Sequence, residues 1–237
     1  MTSRIWLIPL TFLIGVLLFS GCGASNRGQP AGGTKLNEIE RIPAEEEKAK
    51  LLKRIDRQFE DPEAHFELGR LYHADGLWAK AEYEYNAALN CDPAHRSAQA
   101  AMVKVFLDSG DKAKSEIYTD ICMNQVASSA AESLKLAIAF QNQGLDEYAL
   151  ACYRQALRLA PNSAKVNRQI GYYYLSKQDK VQAQEYLTRS FQLNPNQPEV
   201  AGELGRLGVA VSIPRKGPES GKKVDRIFER AEKENKP

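Results

Sequence analysis

The sequence predicts an all-α fold, a solenoid of stacked helix hairpins, and three observations carry that prediction. From Pro62 to Gln197 the chain repeats every 34 residues without a gap. Inside each period, apolar and small residues recur three and four places apart, the spacing of neighbours on a helix face. Glycine and proline punctuate the same places in successive periods, where helices end. Composition agrees. The 237 residues are 43% hydrophobic and 26% charged, with 32 basic against 30 acidic side chains. A balance so close to neutral excludes a charge-driven nucleic-acid binder and a highly charged disordered chain.

The elements follow in chain order. Residues 1–21 hold one charge, Arg4, and an apolar run from Ile5 to Phe19 that is too short to span a bilayer, which takes about 20 residues. They are expected to be a cleavable export signal. Phe19-Ser20-Gly21-Cys22 resembles the lipobox of bacterial lipoproteins, with Phe19 where that family prefers Leu. The resemblance implies that Cys22 carries a covalent lipid, and Gly23 in place of Asp implies the outer membrane, facing the periplasm. Residues 22–42, rich in Gly, Ser, Asn and Gln at their start, are expected to be a tether. Residues 43–61 are expected to form a leading amphipathic helix, with Leu51, Leu52, Ile55 and Phe59 on one stripe.

The repeat windows are 62–95, 96–129, 130–163 and 164–197. Place eleven holds Tyr72, Phe106, Phe140 and Tyr174. Place eight holds Gly69, Val103, Ala137 and Gly171, and place twenty holds Ala81, Ser115, Ala149 and Ala183. Small residues at eight and twenty let two helices approach, and the ring at eleven fills the volume beside them. Gly76, Gly110 and Gly144 at place fifteen supply the left-handed residue that closes a first helix, and Pro93, Pro161 and Pro195 end the second. One such hairpin cannot bury its own apolar face, so neighbours must stack. These windows resemble tetratricopeptide repeats (TPRs), which implies a right-handed TPR helix-hairpin solenoid of four repeats with flanking helices. The second window departs from the pattern: Val103 replaces Gly, Thr119 replaces an aromatic, and Ala127 replaces Pro. Residues 198–211, weakened by Gly202, Gly205 and Gly208, are expected to cap the stack. Residues 212–237 form a basic tail in which Val224, Ile227, Phe228 and Ala231 make a short amphipathic stripe.

Motifs for catalysis or metal binding are lacking: the sequence contains no HExxH, GxSxG, GxGxxG or GxxxxGK[ST]. The three histidines have no ligand spacing, and Cys91, Cys122 and Cys152 sit on second helices where packing accounts for them. The expectation is a protein that is no enzyme, with no cofactor or metal beyond the lipid on Cys22, and with neither nucleic acid nor a small molecule as ligand. The resemblance implies a concave surface lined by places two, five, nine and twelve of the first helices. Here those are Phe66, Arg70, His73, Lys104, Leu107, Leu134, Ile138, Gln141, Lys165, Arg168, Tyr172 and Leu175. Aromatic and aliphatic side chains framed by Arg and Lys suit an extended or helical protein segment with apolar anchors and acidic character; equally, the apolar members could pack against a neighbouring helix. The resulting expectation is an anchored scaffold or adaptor in assembly of an envelope complex, serving type IV pilus secretins or peptidoglycan enzymes. The alternative is a periplasmic chaperone holding extended clients.

Overall fold

The structure, a computed structural model, describes residues 34–211, 225–227 and 230, with side chains from residue 43 onward. The expected export signal and Cys22 lie outside the described residues, as do most members of the tail stripe. Contacts divide the chain into residues 1–41 and 42–237. Of the first unit, the described part is a helical run.

Ten helices are described. Helix α1 runs Thr34–Arg57, so helix begins inside the stretch expected to be a tether, and it carries Pro43 in its interior. Four hairpins follow: α2 (Pro62–Ala74) with α3 (Trp78–Cys91), α4 (Arg96–Asp108) with α5 (Lys112–Val126), α6 (Ala130–Asn142) with α7 (Asp146–Leu159), and α8 (Ala164–Ser176) with α9 (Lys180–Leu193). A short α10 (Pro198–Arg206) closes the series. No described helix is long and apolar enough to cross a membrane.

Each first helix starts on a side-chain cap that satisfies an otherwise unpaired backbone N–H. Asp61 accepts from Ala64 N at 3.0 Å, His95 from Ala98 N at 3.1 Å, Ser129 from Glu132 N at 3.3 Å and Ser163 from Val166 N at 3.2 Å. Within the first three hairpins the turn is made by Gly76, Gly110 and Gly144 at φ of 72°, 88° and 71°. The fourth hairpin makes the same turn with Gln178 at φ 60°. A side chain there is strained, because the left-handed conformation brings Cβ against the backbone.

Hairpins close through places eight and twenty-four. A Cβ added to Gly69 would lie 2.6 Å from the Tyr85 ring, and one added to Gly171 would lie 2.6 Å from Leu187. The helices therefore touch at bare backbone, and Tyr85 and Leu187 are buried there. In the second hairpin the pair is Val103 and Thr119, with bulk on the first helix and a small side chain on the second, both buried.

Place four of the first helices, three residues before the buried place seven, holds a polar and buried residue in all four repeats: His65, Gln99, Ser133 and Asn167. Each reaches back to a carbonyl at the preceding turn. His65 Nε2 lies 3.0 Å from Phe59 O, while Gln99 and Asn167 donate to Pro93 O and Pro161 O at 3.0 and 3.1 Å. Ser133 donates to Val126 O at 2.9 Å. Satisfied in this way, they avoid the cost of a buried unpaired polar group, about 1–3 kcal/mol each.

Helix α1 packs Leu51 against Ala64 and Leu68, with Ile55 beside them. Leu52 and Phe59, expected on the same stripe, are exposed. Lys48 is buried and pairs with Glu45 at 2.6 Å and with Asp75, which fastens α1 to the first hairpin. Between the second and third repeats Arg96 donates to Glu132 at 2.9 Å, and Lys135 donates to the same carboxylate at 3.0 Å. Burial pushes the Glu132 carboxyl up, but hydrogen bonds from Lys135 and Arg96 hold it below the usual carboxylate range.

Candidate functional site

The first helices α2, α4, α6 and α8 present the expected binding residues, but packing sorts them into three groups. The first lies at the first and second repeats and stays polar. Arg70 is exposed, and its guanidinium reaches both oxygens of Glu67 at 2.8 and 2.9 Å while lying over the Phe66 ring. His73 Nε2 sits 2.9 Å from Asp108 Oδ2, and Lys104 donates to the other oxygen of Asp108 at 2.5 Å. Burial raises the Asp108 carboxyl, but hydrogen bonds from Lys104 and His73 outweigh it and hold the group below its ordinary range. The cluster His73–Asp108–Lys104 therefore joins α2 to α4, with an imidazole and an ammonium on either side of one carboxylate. Trp78 backs the His73 ring edge-on, with centroids 5.3 Å apart.

The second group is apolar and committed to the core. Phe66 is buried against Tyr85 and His95. Leu134 is 2% exposed and belongs to the central core, with Leu107 and Ile138 packed onto it. Phe66 and Leu134 thus do not line an open surface. They occupy place five, which is buried in the first three repeats. Gln141 is half-buried and accepts from the Tyr153 hydroxyl at 2.5 Å. In the fourth repeat Tyr172 and Leu175 pack against the cluster formed by Leu187, Phe191, Val200 and Leu204, so the closing helix takes up their apolar surface.

The third group is basic and stands at the start of α8: Lys165 and Arg168, both half-buried, with Arg168 donating to Gln197 at 3.3 Å. Asp108 and Trp78 complete the site without having been expected. Asp108 lies one turn after Lys104 on the same helix, and that i, i+4 spacing was the available signal.

Among the described residues, no group of three or more His, Cys, Asp or Glu side chains is placed to hold a metal. Cys122 and Cys152 are buried, and burial pushes their thiols up to about 12, which suppresses the nucleophilic thiolate. What the arrangement offers is a row of cationic and aromatic groups on the first helices, able to meet acidic and planar side chains.

Residues 164–197 match the tetratricopeptide repeat family. The chain is 27% identical over 154 residues to the type IV pilus assembly protein PilF of Pseudomonas aeruginosa, a match covering 61% of this chain and 58% of that one. It thus spans less than two thirds of that relative's length. A solved structure of Pseudomonas aeruginosa PilF is 26% identical, covering 62% of this chain and 67% of its own, with a TM-score of 0.36. TTC0263, a thermophilic TPR protein of Thermus thermophilus, is 16% identical, covering 74% of this chain and 94% of its own, with a TM-score of 0.38.

Proposed function

We propose that this chain, a tetratricopeptide-repeat protein resembling a type IV pilus assembly protein, is a membrane-anchored scaffold that binds protein partners during assembly of a bacterial envelope complex. The observation that carries the reading is the likeness to PilF, which extends over more of the chain than any one repeat. The first-helix face supplies the means. Arg70 and His73 lie one turn apart on α2, His73 and Lys104 meet at Asp108, and the Arg70 and Lys104 cations are exposed and half-buried. An incoming segment with acidic side chains exchanges the internal carboxylates of Glu67 and Asp108 for its own, at little net desolvation.

The anchor rests on Ser20-Gly21-Cys22, which resembles a lipobox. A lipid on Cys22 would hold the repeats at the outer membrane, facing the periplasm; firm holding takes two or more acyl chains, each buried methylene contributing about 0.8 kcal/mol. Substrate turnover forms no part of the proposed role.

Co-purification from crosslinked envelopes tests the reading, with the chain compared against Arg70→Glu/Lys104→Glu and Cys22→Ala. One or two stoichiometric partners are expected, reduced about tenfold by the double charge reversal, a loss of about 1.4 kcal/mol. Cys22→Ala is expected to leave the membrane fraction. A broad client set indifferent to the charge reversal would instead identify a chaperone.

A further inference from the structure

The N-terminal end of α8 differs from the ends of the other first helices. Helices α2 and α6 carry Glu63 and Glu132 in their first turns, where a carboxylate complements the positive end of the helix dipole. Helix α4 has no acid of its own, but its cap His95 lies 3.3 Å from Glu63. Helix α8 also has none, and its carboxylate comes from far along the chain. Asp225 Oδ1 accepts from the Ser163 hydroxyl at 3.1 Å and from the Lys165 backbone N–H at 3.4 Å.

Ser163 makes this contact informative. It is fully buried, and its oxygen already accepts from Val166 N. The hydroxyl hydrogen is directed outward, along the helix start, onto Asp225. A buried donor aimed at a group 62 residues away, beside a helix end with no acid of its own, has the form of a carboxylate-binding site with a ligand in it.

The ligand is tethered. Thirteen residues separate Val211 from Asp225, a chain length that reaches about 50 Å at full extension. Among the described residues of the tail, Arg226, Ile227 and Arg230 stand exposed, Ile227 to 60%. A carboxylate contact whose described neighbours stay in solvent, without apolar burial at Ile227, draws on the high effective concentration that a tether gives, of the order of millimolar. It can therefore be exchanged.

We propose that the start of α8, built from the Ser163 hydroxyl and the Lys165 amide, is a carboxylate-binding site for an acidic peptide side chain, and that Asp225 of the C-terminal segment occupies it until such a peptide displaces it. Lys165 is also the first of the groove positions in the fourth repeat, so the site marks where an acidic partner residue enters the face described above. In that respect the inference rests on the partner-binding reading. The measurement below contains no partner, so either can fail without the other.

The probe is a fluorescent synthetic peptide of residues 219–237, used with the full chain in detergent, unsubstituted and as Asp225→Ala. Backbone amide spectra are recorded on both proteins, and the amides of α2 to α6 report that each is folded. The Lys165 amide is expected to move upfield in Asp225→Ala, having lost its acceptor. The peptide is expected to half-saturate Asp225→Ala at a concentration at least about tenfold lower than the unsubstituted chain, whose own tail competes. A peptide carrying Asp225→Ala is expected to lose that binding. The proposal is overturned if the Lys165 amide is the same in both proteins, if the peptide does not discriminate between them, or if the substituted peptide binds equally well.

Discussion

The first and second repeats have the same length and the same turn glycine but solve the problem of bringing two helices together in opposite ways. In the first, the backbone of Gly69 is left bare and the Tyr85 ring lies against it. In the second, Val103 fills the first-helix side and Thr119 yields on the other, its hydroxyl turned back to Ser115 O at 2.8 Å. Bulk is conserved across the pair rather than at either place. The exchange has a cost, because Ser115 stands where the other repeats have Ala, and its buried Oγ has no hydrogen-bond partner among the described residues. The helices of the second hairpin also touch less extensively than those of the first. What reads in sequence as decay of a motif is in part a compensated substitution and in part an uncompensated one.

Breaking the comparison at its tightest point gives the largest expected effect. Gly69→Val introduces the second repeat's residue without its partner and is expected to destabilise the protein by about 3 kcal/mol, since overpacking a closed contact forces the ring or the backbone to move. Chemical denaturation measures it. Adding Tyr85→Thr should make the double variant more stable than the sum of the two single effects by more than about 1 kcal/mol, and simple additivity would show that places eight and twenty-four are not coupled. Next in size, Ser115→Ala removes an unsatisfied buried hydroxyl and is expected to raise stability by about 1 kcal/mol; a lower denaturation midpoint would mean that the hydroxyl has a partner in solution. The smallest effect sharpens the comparison from the fourth repeat. Gln178→Gly restores the turn residue of the other three and is expected to stabilise by about 0.5 kcal/mol, relief of left-handed strain being partly offset by glycine's greater chain entropy.

Much of the fold was legible because a fixed period constrains every element at once. The glycines of place fifteen and the small residues of places eight and twenty named their own roles. The period does not say how far a helix is rolled about its axis, however. Phe66 and Leu134 share place five with Arg168, and in the first and third repeats that place turns into the core while in the fourth it faces Gln197. Place four has the spacing of a core position but a polar residue in every repeat, and only the carbonyls of the turns explain why His65, Gln99, Ser133 and Asn167 stand there. Asp225 lay beyond any pattern. It pairs with a helix start 62 residues earlier, and no local spacing encodes such a contact.

The place-four side chains have a consequence for how such a protein is inherited and rearranged. Imidazole, amide and hydroxyl groups have different reach, and each is matched to the carbonyl of the turn ahead of it: six residues back for His65, Gln99 and Asn167, seven for the shorter Ser133. A 34-residue window cut at the start of a first helix would separate donor from acceptor. The transferable unit is therefore a turn together with the hairpin that follows it, and a recombination or duplication that respects that frame carries its own lock with it.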